Sequence, residues 1–445
     1  MAPPTPSEVA TLPAIAPELL RTALGNGWAM VAALGSLAVE RGTTPWLVGG
    51  SVRDLLMGKP VRDADVVVEG DAAALAQAAA TQLGGTAFVH SSFGTAKWTP
   101  PGWRPTDEPI DIATARTETY PQPACLPVVA PARLQRDLHR RDFTLNAMAV
   151  CLHPARLGEV LDPFDGRRDL QQKVLRVLHG QSFDDDPTRA LRAARFAARF
   201  DLTLTTDTRA LLTAALQRDA FHPLSTDRLG AELDRLLREP DPVAALRLLH
   251  TWELVPVLHA RWQLDASLLR RLALFVKAAR RLTAHHPKAA EEPLAVQADG
   301  AWTVLAGGLT PEDRRAAAAL IPGPKTRRTR FLLGPEAIDR ALAVLHPSAR
   351  PSEVARTLAS LDSVQLLLTQ AWSGDTPTPD AAQSQLAWWM ETGRHIRTAV
   401  DGRWLMQQGQ SPGPGFADAL NTALDVARDG GSVAEQRTAA LARLE

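Results

Sequence analysis

A short apolar strand that runs into two glycines constrains this chain more than any other feature of its sequence. Trp46–Val48 is followed at once by Gly49 and Gly50, and a helical pattern resumes at Ser51–Met57. Glycine permits a tight turn and a close approach of the backbone to a ligand. The free N–H groups at the start of the following helix attract anions. The pattern therefore predicts a strand–turn–helix unit that can accept phosphate.

Two acidic residues follow in the segment RDADVVV. Asp63 and Asp65 stand two apart in a predicted strand, Asp63–Glu69, so their side chains are expected on one face. Such carboxylates repel each other unless a cation lies between them. Two Mg²⁺ ions, one activating an attacking hydroxyl and one holding pyrophosphate, are the usual solution. The alternative is a pair of solvated turn acids; Arg53, suited to triphosphate oxygens, favours the metal site.

A third carboxylate is expected from a neighbouring strand, and Asp111 in PIDIATAR is the best-placed residue. The alternative is an acid at the start of a strand that points into water. Farther on, Arg140 and Arg141 precede the apolar run FTLNAMAV, from which an arginine could reach a triphosphate or a ribose. A helix N-terminus capped by Asp142 is the simpler interpretation of that segment taken alone.

An arginine row marks the predicted helix Asp186–Phe200. Its members recur at every third position: Asp186, Arg189, Arg192 and Arg195. At ~100° per residue the three arginines span about a third of the circumference. Like charges on one face cost energy unless an anion faces them, and a solvated arginine face is the alternative. An aspartate with an arginine three residues on can also present an acceptor and donors to a base edge.

The segments around these motifs predict a change of architecture along the chain. Candidate strands at Ala87–His90, Thr95–Thr99 and Ile110–Thr114 make residues 1–150 an α/β or α+β unit. No regular element is expected in the proline-rich segment 116–129, RTETYPQPACLPVV. Beyond it helix follows helix, with a possible linker at 284–299. The predicted helices are Leu19–Val39, Asp169–Leu178, Asp186–Phe200, Thr206–Arg218, Thr226–Arg238 and Pro242–Leu249.

Composition sets broad limits on the chain. Lys and Arg together number 49, as do Asp and Glu, so RNA binding would need a local basic face. Two cysteines in 445 residues fit a reducing compartment. We expect a frayed first dozen residues, no signal peptide, and no uncharged apolar run of the ~18 residues that a membrane span needs. These features predict a soluble cytoplasmic protein.

In this order the motifs resemble those of the tRNA nucleotidyltransferase/poly(A) polymerase family, the bacterial branch of the polymerase-β-like nucleotidyltransferases. The match covers roughly residues 44–240 and comprises GGxVRD, DxD, RRDFTxNAM, DPFxGxxDL and DDPxRxxRxxRF. The resemblance implies an α+β nucleotidyltransferase head, a small mixed sheet with helices, followed by an all-α neck, body and tail, mainly helical overall. The expected divisions are 1–160 for the head, 161–250 for the neck, and 251–445 for a body and tail that bind tRNA.

The same resemblance implies roles for individual residues. Asp63 and Asp65 match the metal-binding pair, for which Mg²⁺ is the expected ion. Asp186 and Arg189 match the residues that pair with the incoming base, and Arg141 matches an arginine that contacts the nucleotide. Further nucleotide contacts are expected from Gly49, Gly50, Arg53, Arg192 and Arg195.

The implied activity is addition of C, A or both from CTP and ATP to the 3′ end of tRNA, with no membrane and no stable protein partner. Asp185 stands where the family often has Glu, and segment 116–137 lacks the flexible-loop pattern of enzymes that add all of CCA. The product could therefore be CC, A or CCA. A poly(A) polymerase is an alternative, but residues 416–445 mix both charge signs. A non-catalytic RNA-binding protein is a second alternative, although it would be expected to have lost one aspartate of the DxD pair.

Overall fold

A seven-stranded mixed sheet organises the first part of the chain in the computed structural model, which describes residues 14–90, 94–104, 107–285 and 291–444. The sheet order is β3-β4-β5-β2-β1-β8-β9; β2 and β5 are parallel and the other neighbours antiparallel. These strands and those of two small sheets are β1 Pro45–Val48, β2 Asp65–Val68, β3 Thr86–His90, β4 Thr95–Thr99, β5 Ile110–Thr114, β6 Arg116–Thr119, β7 Val128–Pro131, β8 Ala149–Cys151, β9 Val160–Leu161, β10 Val174–Leu175 and β11 Thr203–Leu204.

Helices pack with the sheet and continue beyond it to Gln217, and the first of two compact units ends at Ser225. Within this unit the helices are α1 Pro17–Leu24, α2 Trp28–Glu40, α3 Gly50–Leu56, α4 Ala72–Gln82, α5 Leu134–His139, α6 Gly166–Gln171, α7 Ser182–Asp185, α8 Thr188–Phe200 and α9 Thr206–Gln217. The stretch Pro17–Glu40 is long and apolar enough to span a membrane by length and composition. Its buried side chains, among them Leu20, Val31 and Leu34, belong to the hydrophobic core of the sheet unit.

The predicted strands at Trp46–Val48, Thr95–Thr99 and Ile110–Thr114 are confirmed to within a residue. The predicted start of β2 is wrong, because the strand begins at Asp65 and Asp63 lies in the bend before it. The strand alternation used for the DxD pair therefore does not apply to Asp63.

Two expectations about the middle of the chain are wrong. Segment 116–129 was expected to lack regular structure, yet β6 lies in it and pairs antiparallel with β7, which begins there at Val128. Their pairing depends on a partner strand, which local periodicity does not reveal. The predicted helix Asp169–Leu178 ends early, since Lys173 adopts φ 54° and the chain then enters β10, which pairs with β11.

The second unit begins at Thr226, and every described element in it is helical. Trp262, Trp302 and Phe331 meet edge to face or tilted at its centre. The linker expected at 284–299 is wrong for its second half, because 291–299 belong to the helix Glu291–Ala306; residues 286–290 lie outside the described part of the chain. The helices are α10 Thr226–Leu237, α11 Pro242–Thr251, α12 Val255–Leu258, α13 Ala266–His285, α14 Glu291–Ala306, α15 Pro311–Ala317, α16 Lys325–Val344, α17 Pro351–Ala359, α18 Ser363–Trp372, α19 Pro379–Glu391, α20 Gly402–Gln407, α21 Pro414–Arg428 and α22 Val433–Ala442.

The predicted fold class is confirmed: a mixed-sheet head precedes a mainly helical remainder. The two-residue pair β10–β11 is an addition inside the segment predicted to be helical neck. The division into head, neck and body stays a prediction, and the frayed first dozen residues lie outside the described part of the chain.

Candidate active site

The glycine turn between β1 and α3 brings three of the predicted site residues together. Gly49 has φ 67°, a conformation that L side chains rarely adopt. A Cβ at this position would lie 2.7 Å from Nη1 of Arg141 and 3.8 Å from Oδ2 of Asp65. Gly49 is therefore required both by its backbone angle and by the side chains over it. Gly50, the first residue of α3, faces the guanidinium of Arg53 instead.

Ser51 ties this helix to the DxD pair. Its hydroxyl donates to the carbonyl oxygen of Asp63 at 2.6 Å and accepts from the amide of Asp65 at 3.1 Å. The side chain is buried, so water does not compete for these bonds. Sequence reasoning missed this residue, because its only signal was its place inside the GGSVRD motif.

The carboxylates of the site are not equivalent. Asp65 lies in register beside Asp111 across the parallel strands β2 and β5. Nζ of Lys97 lies 2.8 Å from Oδ1 of Asp111 and neutralises it. Burial raises the pKa of Asp65 to about 6; Asp111 and Asp63 add to the rise, while Arg141 and Lys97 oppose it. The cluster therefore holds a carboxylate whose negative charge lacks full compensation.

Asp63 and Asp65 fit a divalent cation by the chemistry of their donors. Within the described ranges no group of three or more His, Cys, Asp or Glu side chains could hold a metal ion. Mg²⁺ is usually bound by one or two carboxylates and completes its coordination with water and substrate phosphates. The carboxylate of Asp63 in an exposed bend, next to that of the more buried Asp65 at the start of β2, whose raised pKa disfavours its ionisation without a cation, matches that requirement.

Arg53 lies in a buried network rather than on an open surface. Its Nη1 donates to Oδ1 of Asn146 at 2.7 Å and its Nε donates to Oδ1 of Asp54 at 3.0 Å. The guanidinium also stacks over the rings of Phe196 and Phe200, 5.4 and 4.5 Å from their centroids. The side chain is 6% exposed. This arrangement connects the glycine-turn helix to α8.

Asp142 continues the network at the other side of Asn146. It accepts from Nδ2 of Asn146 at 2.9 Å, from the amide of Phe143 at 2.9 Å and from Nε of Arg192 at 3.0 Å. Burial acts to raise the pKa of Asp142, but Arg192 and these hydrogen bonds hold it below its usual range. The helix-cap interpretation of Asp142 is wrong: only a single 3-10 turn, Thr144–Asn146, follows it.

Asp137, which sequence reasoning missed, positions the predicted nucleotide-binding arginine. Its fully buried carboxylate accepts from Nη2 of Arg141 at 2.9 Å and from Arg140 at 2.7 Å. Burial works against ionisation, but the two arginines hold the pKa of Asp137 below its ordinary value. Nε of Arg141 is buried and has no hydrogen-bond partner among the described residues. Arg141 therefore lies over Gly49 beside Asp65 with a donor to spare.

The start of α8 presents the predicted base-recognition pair. Oδ1 of Asp186 accepts from the amide of Thr188 at 3.1 Å and from its hydroxyl at 2.6 Å. Arg189 is 4% exposed. Its Nη2 donates to the carbonyl oxygen of Arg140 at 2.9 Å and its Nη1 to that of Ser182 at 3.4 Å. The helix begins at Thr188, two residues after the predicted start.

The arginine row of α8 is not a solvated face. Arg192 pairs with the buried Asp142, and Arg195 lies 4.6 Å from the ring centroid of Phe196. Like charges on one helix face require a facing anion. For Arg192 the protein itself supplies that anion, the carboxylate of Asp142. Arg192 and Arg195 lie farther along α8, distant in sequence from the DxD pair. Arg192 belongs to the hydrogen-bonded network that contains Arg53.

Comparison with known proteins identifies the relatives of this site. The model of the poly A polymerase head domain matches residues 45–176, which contain the glycine turn, the DxD pair and the RRD segment. The A-adding tRNA nucleotidyltransferase of Halalkalibacterium halodurans is 43% identical over 225 residues, 49% of this chain and 52% of the relative. The CC-adding enzyme of Deinococcus radiodurans is 41% identical over 206 residues, 46% of this chain and 53% of the relative. The chain thus spans about half the length of these curated relatives.

Solved structures match over more of the chain. An apo CCA-adding enzyme has a TM-score of 0.79 at 28% identity, covering 96% of this chain and 98% of that one. The Thermotoga maritima CCA-adding enzyme, complexed with tRNA bearing CCA, has a TM-score of 0.74 at 26% identity, with 98% and 100% covered. Nucleotidyltransferases of this family generally use divalent metal ions. Residues 45–176 therefore match a poly A polymerase head domain, and the chain is similar to tRNA nucleotidyltransferases and has the fold of the CCA-adding enzymes.

Proposed function

We propose that the protein is a template-independent tRNA nucleotidyltransferase that adds C, A or both from CTP and ATP to the tRNA 3′ end. The observation that carries the proposal is the carboxylate pair Asp63 and Asp65 beside the glycine turn, where Asp65 has a pKa of about 6. The A-adding and CC-adding relatives, and the CCA-adding structures with ATP and with CTP, support the substrate class.

In the proposed reaction the terminal 3′-hydroxyl of the RNA releases its proton to water, its oxygen forms a bond to the α-phosphorus of the nucleotide, and the bond from that phosphorus to pyrophosphate breaks. Asp63 and Asp65 would hold Mg²⁺, which when bound neutralises phosphate charge and activates the hydroxyl. Asp111 serves as the third carboxylate, with Lys97 fixing its oxygens. Because Asp65 and Asp111 are in register, both carboxylates belong to the same edge of the reacting centre.

The nucleotide is proposed to be held by the groups around the glycine turn. Arg141 carries the cation nearest to Gly49, and its buried Nε is a donor that no described group uses. Gly49 and Gly50 leave room for phosphate oxygens, as at other helix N-termini. Arg53 stabilises this turn through its hydrogen bonds to Asp54 and Asn146.

Base choice is proposed to lie with Asp186 and Arg189. One carboxylate oxygen of Asp186 is fixed by Thr188, and the guanidinium of Arg189 is fixed by two carbonyl oxygens. Fixed donors and acceptors can discriminate the Watson–Crick edges of C and A from those of G and U. Arg192 and Arg195 extend the nucleotide contacts along the same helix.

We propose that residues 251–445 bind RNA and that α11 contributes to the same binding surface. A groove of about 590 Å³ in the second unit is lined by Arg247 of α11 and by Lys277, Arg280 and Arg281 of α13. Asp241, the acid on its rim, accepts a hydrogen bond from Ala244 as a helix cap. Such a local basic surface lets a chain of zero net charge attract RNA phosphates.

The experiment is an incorporation assay with three tRNA primers, ending before CCA, after one C, and after CC, each with labelled CTP or ATP. Incorporation on at least one primer is expected, and the productive primer identifies a CC-, A- or CCA-adding enzyme. Asp65→Ala is expected to abolish incorporation and to retain tRNA binding. No incorporation by wild type on any primer refutes the proposal, and long A tails on an unstructured RNA would indicate a poly(A) polymerase instead. The free Cys125 and Cys151 fit the cytoplasmic location that we propose.

A further inference from the structure

The guanidinium of Arg189 is held by two segments of backbone that are distant in sequence. Nη2 donates to the carbonyl oxygen of Arg140, at the end of α5, and Nη1 to the carbonyl oxygen of Ser182, at the start of α7. These carbonyl oxygens fix where the remaining N–H groups of Arg189 point. A shift of either segment would therefore reorient the donors that meet a base.

Two histidines join these same segments. His139 immediately precedes Arg140, and the carbonyl oxygen of His179 accepts from the amide of Ser182 at 3.2 Å. The imidazoles stack nearly parallel, with centroids 5.4 Å apart and planes 14° from each other. Phe164 contacts the ring of His139 at 5.6 Å between centroids. The stack thus connects the residues that adjoin both carbonyl oxygens holding Arg189.

The electrostatic surroundings suit a stack of neutral rings. Burial, together with the charges of Arg189 and His139, lowers the pKa of His179 to about 4. Burial, Arg136 and Arg189 likewise lower the pKa of His139. Both rings are therefore uncharged near neutral pH, and mutual repulsion does not oppose their contact. Neither histidine is used in the phosphoryl-transfer chemistry proposed above.

We propose that His139 and His179 are positioning residues that set the orientation of Arg189 and so the discrimination between CTP and ATP. This inference rests on the proposed function, because it requires that Arg189 meet the incoming base. The histidines touch neither the nucleotide nor the reacting atoms, and they act through the backbone at Arg140 and Ser182. A stack that served packing alone would affect stability and leave the choice of nucleotide unchanged.

The test compares His179→Ala, which removes the ring, with His179→Phe, which keeps an aromatic partner for His139. The control is His222→Ala, since His222 is an exposed histidine of the same unit. For each protein, kcat and KM are measured for CTP and for ATP on the tRNA primer that wild type extends. Thermal unfolding of each variant is recorded in parallel.

We expect His179→Ala to change the ratio of kcat/KM for CTP to that for ATP by up to about tenfold, the scale of one aromatic pair. The change should appear mainly in KM for the nucleotide. His179→Phe and His222→Ala should keep the wild-type ratio. An unchanged ratio in a folded His179→Ala overturns the inference, as does an equal shift in His222→Ala.

If His179→Ala does not fold, His139→Leu supplies the same reading from the other ring, with His139→Phe as its aromatic control. The two hypotheses fail separately. Absence of incorporation by wild type on every primer refutes the proposed function. Incorporation by wild type with the same nucleotide ratio in the ring-deleted variants refutes only the role of the histidines.

Discussion

Asp65 and Asp111 lie in register on adjacent parallel strands, and Lys97 forms an ion pair with only one of them, Asp111. The neighbouring Asp63 adds a further negative charge near Asp65. A site built in this way is electrostatically unfavourable by itself and becomes favourable when a cation joins it. Since a bound cation would relieve the uncompensated negative charge at Asp65, it should stabilise the folded protein. The metal hypothesis can therefore be tested without an activity assay.

Divalent cations are expected to stabilise the wild-type protein and to have little effect on Asp65→Asn. A ligand present at 100 times its dissociation constant contributes about 2.7 kcal/mol to the native state, and about 2–4 °C in Tm accompanies each kcal/mol. Thermal unfolding with and without Mg²⁺ measures this. Glu40→Gln, which alters an exposed carboxylate of the same unit, should respond like wild type. Equal Mg²⁺ responses of Asp65→Asn and wild type would remove Asp65 as a ligand.

Gly49→Ala is expected to reduce incorporation by at least ~100-fold, because misplacing a positioning group by about 1 Å has that effect. The new Cβ would clash with Arg141 at 2.7 Å. Gly58→Ala is the matched control: Gly58 has the same φ of 67° but nothing within 4 Å of its Cβ. Both variants should lose ~1–2 kcal/mol of stability from the left-handed backbone angle. Comparable activity of the two variants would show that the contact with Arg141 has no role.

Most of the head could be predicted because its signals are local. The apolar run before Gly49 and the alternation over Ile110–Thr114 each gave a strand near its observed position. The β6–β7 hairpin could not be predicted, because its strands are stabilised by each other and by contacts that lie outside a local window. Lys173 ended a predicted helix through a positive φ that lysine seldom adopts.

The site residues could be proposed from motifs, but their partners could not. Nothing in the sequence indicates that Lys97 compensates Asp111, or that Ser51 bridges Asp63 and Asp65. These contacts depend on tertiary register. Arg53 shows the same limit, because its motif suggests an open phosphate contact whereas three-dimensional packing buries its guanidinium.

Asp142→Leu is expected to destabilise the first unit by ~3–5 kcal/mol, the usual effect of breaking a buried charge pair from one side. The substitution removes the acceptor shared by Arg192 and Asn146. Asp184→Asn is the control, since the pair of Asp184 with Arg218 lies at the surface and should contribute under ~1 kcal/mol. Denaturant unfolding compares the two. Similar losses in both variants would contradict the structural role assigned to Asp142.

As the pH falls from about 6.5 to about 4, the unfolding free energy of the wild-type protein should decrease relative to that of His179→Phe. The pKa of the folded His179 is about 4, against 6.5 for the free side chain, so the unfolded chain takes up the proton first. Acid therefore favours unfolding over this interval, by at most about 3 kcal/mol at 1.36 kcal/mol per pKa unit. Above pH 6.5 both states are neutral at this residue and the difference between the two proteins should be constant. Asp185, Arg189 and His139, which surround the ring, remain in both proteins, so subtracting the two pH profiles of unfolding free energy isolates His179. Parallel profiles between pH 7.5 and 4 would mean that the ring is protonated as readily in the folded protein as in the unfolded chain.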